Sequence, residues 1–147
     1  MTDPAFDQQR GYYLDEIRPG LKALFAKTIT DADVTLFAGI SGDTNPLHIN
    51  DDFASQTRFK KRIVPGMVTT SLWSTLVGTR LPGPGCAYLS QETRFLKPVF
   101  PGDTVTATLT ITAVDQDRQI VRFDATCTVN HTVVAQGPGS AWVPRRP

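Results

Sequence analysis

Residues 65–78 read Pro-Gly-Met-Val-Thr-Thr-Ser-Leu-Trp-Ser-Thr-Leu-Val-Gly, and no charged side chain occurs anywhere from Ile63 to Thr79. Val68, Leu72 and Leu76 fall one helical turn apart, and Pro65 supplies a start signal because a first-turn amide needs no partner within the helix. The spacing predicts a helix over Met67–Gly78. Its remaining positions, Thr69, Thr70, Ser71, Ser74 and Thr75, are small and uncharged. A helix without charge on any face is one that other structure surrounds. The stretch is short for a membrane span and rich in Ser and Thr, so it reads as a buried helix.

Working outward, the chain beyond Leu81-Pro82-Gly83-Pro84-Gly85 changes to strand texture. Cys86–Leu96 is one expected strand. Asp103–Val114 is a second, alternating strictly through Val105, Ala107, Leu109 and Ile111, and Ile120–Val129 and Thr132–Val143 follow. Asp115-Gln116-Asp117 and Asn130-His131 fit hairpin turns, and Phe100-Pro101-Gly102-Asp103 a tight turn. Upstream, Leu21–Ile29 reads as a strand after the turn signal Arg18-Pro19-Gly20. Thr30 or Asp31 then caps a helix that carries Val34, Phe37 and Ala38 and stops by Gly42. Ser41–Asn50 reads as an irregular loop and Asn50–Ala54 as the start of a short helix. Antiparallel strands after one buried helix describe an α+β domain, a sheet packed on one long helix.

The length of 147 residues suits one domain, residues 1–147, able to bury a core without staples. Fifteen Lys and Arg against fourteen Asp and Glu leave a net charge of +1, which argues against a general nucleic-acid binder. The two cysteines, Cys86 and Cys127, match no metal spacing and are too few for a disulfide scaffold, so they read as buried thiols in a reducing compartment. The first ten residues carry Asp3 and Asp7 and lack the apolar run of an export signal. The expectation is a cytoplasmic protein with no membrane association.

The densest cluster of functional groups is Ser41-Gly42-Asp43-Thr44-Asn45-Pro46-Leu47-His48. An acid and an imidazole in a Gly/Pro-shaped loop can address one substrate from two sides, because a scaffold places loop groups while leaving their polar atoms accessible. On spacing alone a plainer reading stands first. In it Asp43 caps a turn, Asn45-Pro46 forms it, and His48 is a partly buried polar residue.

The longer run Phe37-Ala38-Gly39-Ile40-Ser41-Gly42-Asp43-Thr44-Asn45-Pro46-Leu47-His48, with Ala54 after it, resembles the signature of the MaoC-like, (R)-specific enoyl-CoA hydratases. That pattern is an aromatic residue, a small-Gly-Asp-x-Asn-Pro-aliphatic-His core and a small residue six places on. The resemblance continues through Ile63-Val64-Pro65-Gly66-Met67 and through Tyr88–Asp103 with its FLKPVFPGD ending, covering roughly residues 10–143. A motif this long and chemically mixed is improbable by chance. It implies a hot-dog fold, an antiparallel sheet wrapped around a central helix, here Met67–Gly78. It also implies dimers, or dimers of dimers, whose sheets join edge to edge with the thioester near the interface.

The implied reaction is reversible hydration of trans-2-enoyl-CoA to (R)-3-hydroxyacyl-CoA. It needs a base for water, an acid for C2 and donors for the charge growing on the thioester oxygen. Asp43 and His48 are the proton-transfer candidates by resemblance, holding one water on one face of the double bond. The backbone N–H of Gly66 is the oxyanion candidate. It stands at a helix start, where unpaired amides and the dipole favour an anion, and its missing Cβ permits close approach. Asn45 orders the loop or holds Asp43 or the water. Ser74, two turns beyond Gly66 and flanked by Trp73 and Val77, lines the acyl pocket by resemblance; as plain core, these residues would pack the interior. Many members carry His where this chain has Pro65, a position that contributes backbone shape.

Arg58, Lys60, Lys61 and Arg62 belong to the basic run RFKKR, which either attracts coenzyme A phosphates or is a solvated surface. Tyr88, Gln91 and Arg94 border a dimer seam or a cofactor groove, and His131 has no assigned role. Related readings are a 3-hydroxyacyl-[acyl-carrier-protein] dehydratase and a non-catalytic acyl-CoA-binding hot-dog subunit. A hot-dog thioesterase usually carries a carboxylate on the central helix, and Met67–Gly78 has none. With no Walker loop, dinucleotide fingerprint or metal-ligand cluster, neither a nucleotide cofactor nor a metal is expected; coenzyme A enters as part of the substrate.

Overall fold

The computed structural model describes residues 3–147. Met1 and Thr2, part of the N-terminal reading and of the 1–147 domain, lie outside the described residues. The elements run α1 (Pro4–Gln9), a 3-10 turn at Leu14–Glu16, β1 (Lys22–Thr28), α2 (Asp31–Ser41), α3 (Pro46–Ile49), α4 (Asp51–Ser55) and α5 (Gly66–Thr79). They continue as β2 (Ala87–Gln91), β3 (Arg94–Phe95), β4 (Thr104–Asp115), β5 (Ile120–Val129) and β6 (Thr132–Trp142).

All strand pairs are antiparallel, in the order β1-β4-β5-β6-β2, with β3 also pairing along β6. Period-two burial decides which face closes on α5. Val105, Ala107, Leu109 and Ile111 of β4 and Val121, Phe123, Ala125 and Cys127 of β5 are buried, while the residues between them face outward. The uncharged helix touches β1, β2, β4, β5 and β6, so the sheet curls around it as an α+β domain. Trp73 is the anchor: its ring is buried and its Nε1–H donates to the Thr126 carbonyl at 3.1 Å, leaving no orphaned polar atom. An indole that removes ~150–250 Å² from water stabilises the fold by about 4–6 kcal/mol before its entropy cost. This places Trp73 in the core rather than in a substrate pocket.

Three expectations are corrected. Cys86–Leu96 is not one strand, because Pro138 in β6 has no amide to donate and the ladder is interrupted there. Glu92 instead donates to the Pro138 carbonyl at 2.9 Å, and its own carbonyl lies over Gly137, where any Cβ would clash. Ser41–Asn50 is not wholly irregular, since Pro46 and an Asn45 cap make Pro46–Ile49 a helical turn. Cys86 is only partly buried, whereas Cys127 is buried. Among the described residues no helix is long and apolar enough to cross a membrane.

Candidate active site

The loop that carries the acid and the imidazole is built from its own caps. Thr30 and Asp33 cap α2 reciprocally, and Lys27 pairs with Asp33 at 2.6 Å. At the other end Gly42 takes the left-handed conformation, φ 76°, and its N–H closes on the Ala38 carbonyl at 2.9 Å. A residue with a side chain is strained there, so glycine turns the chain out of α2 directly into Asp43. Asp43 Oδ1 then accepts from the Asn45 N–H at 3.1 Å, and Asn45 Oδ1 accepts from the Leu47 N–H at 3.0 Å. The Asn45 side-chain oxygen thus caps α3, and Pro46 supplies its first residue.

This single turn sets His48. Its ring is buried, and Nδ1 lies 2.8 Å from the Ile63 carbonyl oxygen. A carbonyl can only accept, so Nδ1 carries a hydrogen and the neutral ring is left with a bare Nε2. Nε2 faces Asp43 Oδ2 at 3.9 Å, and the carboxylate keeps 42% of its side-chain exposure. The separation is too long for a direct hydrogen bond and short enough for one water oxygen to reach both acceptors.

Gly66 opens α5, behind the buried Pro65, so its N–H is among the first-turn amides that the helix leaves without a partner. A Cβ at Gly66 would lie 2.6 Å from Cε1 of Phe95, so the ring of that β3 residue rests directly over the glycine. A cleft of about 320 Å³ opens beside it, walled by Phe59, Ile63, Met67, Phe95 and Val134, with Arg58 and Lys97 also lining it. Ile63 joins cleft and acid–imidazole pair, since its carbonyl orients His48 while the residue forms part of the cleft wall.

The basic run disperses. Arg58 lies over the Phe59 ring at 4.8 Å and lines the cleft, while Lys61 Nζ sits 4.0 Å from the Phe100 ring centre. Lys60 is exposed, with a left-handed φ of 63°. Arg62 is half-buried and pairs with two exposed carboxylates, Asp31 and Asp51. Ser74 is exposed on α5 and does not line the cleft beside Gly66. Tyr88 is 37% exposed as a whole, but its hydroxyl, which donates to Gln91 Oε1 at 2.5 Å, is partly desolvated, and this pushes its pKa up to about 12. The Ile63 carbonyl and the Phe95 ring escape sequence reasoning, because each meets a partner distant along the chain, with other elements between them. For Phe95 the one local signal was its place at the head of FLKPVFPGD.

The MaoC like domain model matches residues 16–134. The chain is 47% identical over 135 residues to the (R)-specific enoyl-CoA hydratase of Rhodospirillum rubrum, spanning 92% of this chain and 94% of that protein. It is 39% identical over 137 residues to the 3-hydroxybutyryl-CoA dehydratase of Methylorubrum extorquens, spanning 93% of this chain and 87% of that one. Among solved structures, the (R)-hydratase from A. caviae involved in PHA biosynthesis superposes with a TM-score of 0.84 at 38% identity. That match covers 87% of this chain and 98% of that chain.

Proposed function

Because the chain belongs to the MaoC-like domain family, we propose that it hydrates trans-2-enoyl-CoA reversibly to (R)-3-hydroxyacyl-CoA, with Asp43 and His48 as the catalytic residues. The observation that carries this reading is the 3.9 Å approach of Asp43 Oδ2 to an Nε2 whose ring is locked through Nδ1 by the Ile63 carbonyl.

The reaction follows from the hydrogen inventory. Neutral His48 and ionised Asp43 are both acceptors, so a water between them donates one hydrogen to each and turns a lone pair toward C3. As the O–C3 bond forms, the water proton passes to Nε2 and the C2=C3 electron pair moves toward the thioester oxygen. The Gly66 N–H stabilises that oxyanion, a role of the kind worth about 10²–10³ in rate per donor. The imidazolium, steadied by the Asp43 carboxylate, returns its proton to C2, and re-formation of the C=O closes the cycle. One water is thus split across one face of the double bond. The apolar cleft walls suit the alkyl part of the thioester, and Arg58 and Lys97 attract its anionic end.

The working unit is a homodimer or a dimer of dimers. β2 ends the sheet with Tyr88 and Leu89 exposed, and such an edge is usually paired or covered. The free thiols Cys86 and Cys127 suit a reducing cytoplasm.

The test follows loss of the conjugated enoyl thioester absorbance across acyl-CoAs of different length, with chiral analysis of the product. The reading expects an (R)-3-hydroxyacyl thioester; an (S) product or no turnover refutes it. Turnover confined to carrier-protein thioesters moves the protein to the dehydratase reading.

A further inference from the structure

We propose that Arg62 is a positioning residue for the reaction, holding the His48 imidazole in register from outside the cleft. The proposal rests on the assignment of His48 above. Arg62 ends the basic run, yet its side chain keeps only 21% exposure. Nε donates to Asp51 Oδ1 at 2.7 Å, and Nη1 donates to Asp31 Oδ1 at 2.9 Å and to the His48 carbonyl at 3.4 Å. Asp31 begins α2, Asp51 begins α4 and His48 lies in α3, so one planar cation ties together the three helices that frame the loop.

The turn needs such a tie. α3 has four residues, far below the length at which a helix sustains itself. Its N-terminus is capped by Asn45, but its last carbonyls have no partner within the helix, and a cation is favoured at that end. Arg62 supplies one, and Ile63 adds two more grips. The Ile63 N–H donates to the Leu47 carbonyl at 3.4 Å, and its carbonyl accepts from His48 Nδ1 at 2.8 Å. Where Ile63 sits therefore sets where Nε2 points; the Val64 N–H, donating to the Val99 carbonyl at 2.7 Å, holds the chain on one side of Ile63, and the two carboxylate pairs of Arg62 hold it on the other. These pairs also hold the guanidinium pKa above its ordinary value, through hydrogen bonds first to Asp51 and then to Asp31. A phosphate approaching Arg62 would meet both carboxylates, which sets this residue apart from Arg58.

The test compares Arg62→Gln, Arg62→Lys and Asp51→Asn with wild type and with His48→Gln, using trans-2-butenoyl-CoA and the matching pantetheine thioester. Misplacing a catalytic group by about 1 Å can cost ~10²-fold, so Arg62→Gln is expected to lower kcat by about 10–100-fold with KM near its wild-type value for both substrates. Arg62→Lys should recover part of the loss, since it keeps the charge without the fork. Nitrogen-15 NMR of the ring, read in a His131→Asn background that leaves one histidine, should show a single Nδ1–H tautomer in wild type and a mixture in Arg62→Gln. Normal kcat, a KM rise confined to the CoA substrate, or a kcat loss with an unchanged tautomer each overturn the proposal. If Arg62→Gln does not fold, Asp51→Asn asks the same question with one pair removed, and an unchanged kcat there overturns it equally. If His48→Gln stays active, the catalytic assignment itself has failed, and the tautomer spectrum still reports whether Arg62 holds the ring.

Discussion

Gly66→Ala separates the two reasons for a glycine at the head of α5. The added Cβ would stand 2.6 Å from Cε1 of Phe95 and 2.9 Å from Cδ1 and Cζ. Carbon pairs prefer ~3.5–4.0 Å, so the ring must retreat by about 1 Å. In a closed core such overpacking costs ~1–3 kcal/mol, but Phe95 is 54% exposed and can swing outward, which puts the cost near the low end. Alanine returns up to ~1 kcal/mol of helix preference, because Gly66 has no left-handed φ to lose. The two nearly cancel, so Tm should move by no more than about 2–4 °C. Catalysis should not be spared. The Cβ and the displaced ring enter the cleft beside the Gly66 N–H, and denying the thioester oxygen one such donor costs about 10²–10³ in kcat. Thermal unfolding and the enoyl absorbance assay measure the two effects separately. A Phe95→Ala background supplies the control, since it removes the ring that the Cβ strikes. If Gly66→Ala leaves kcat unchanged both in the parent and in that background, the thioester oxygen does not sit beside the Gly66 N–H and the oxyanion assignment is wrong.

Three further outcomes follow. Light scattering at micromolar concentration should show a dimer or a multiple of it, because the β2 edge carries exposed Tyr88 and Leu89; a monomer removes the basis for an interface active site. Neutralising Arg58, Lys60 and Lys61 together should raise KM for CoA substrates, spare a short pantetheine thioester and leave kcat nearly unchanged, the effect fading with salt over a screening length of ~8–10 Å. Equal losses for both thioesters would assign the run to folding instead. Asp33→Ala should cost ~0.5–2 kcal/mol at neutral pH, measured by denaturant unfolding, because it breaks the α2 capping box. The Lys27 hydrogen bond, then that of the Thr30 backbone, lowers the Asp33 pKa. Its stabilisation is therefore complete above the ordinary aspartate value of ~3.9 and lost as pH falls through the lower folded value, so the gap to the variant should close in acid.

Much of this architecture is legible because local pattern and tertiary demand agree. α5 is readable from its lack of charge on every side, and Asp103–Val114 from strict alternation between two turns. At Asn45-Pro46 local signals coincide: the same residues begin a turn and cap a helix, and only the Leu47 amide on Asn45 Oδ1 decides for the helix. The break between β2 and β3 had its cause written at Pro138, but no local pattern says that Glu92 lies opposite it. The closeness of Asp43 and His48 was open to sequence because a short loop spans them. Their orientation was not, since it depends on the Ile63 carbonyl, fifteen residues from His48 along the chain. The pairing of Arg62 is hidden likewise: a run of five residues with four cations reads as solvated until Asp31 and Asp51 are seen around its last member.

The most direct test of the central claim is turnover of trans-2-butenoyl-CoA by wild type, Asp43→Asn and His48→Gln, with folding checked by thermal unfolding. Asn keeps the side-chain oxygen that accepts from the Asn45 amide, and Gln can still donate toward the Ile63 carbonyl, so both variants should fold. Each removes a charge or proton-transfer group that the water addition requires, and each should lower kcat by about 10²–10⁴-fold. Wild type is predicted to form the (R)-3-hydroxy product and both variants to be nearly inert. Near-normal turnover by either folded variant contradicts the account.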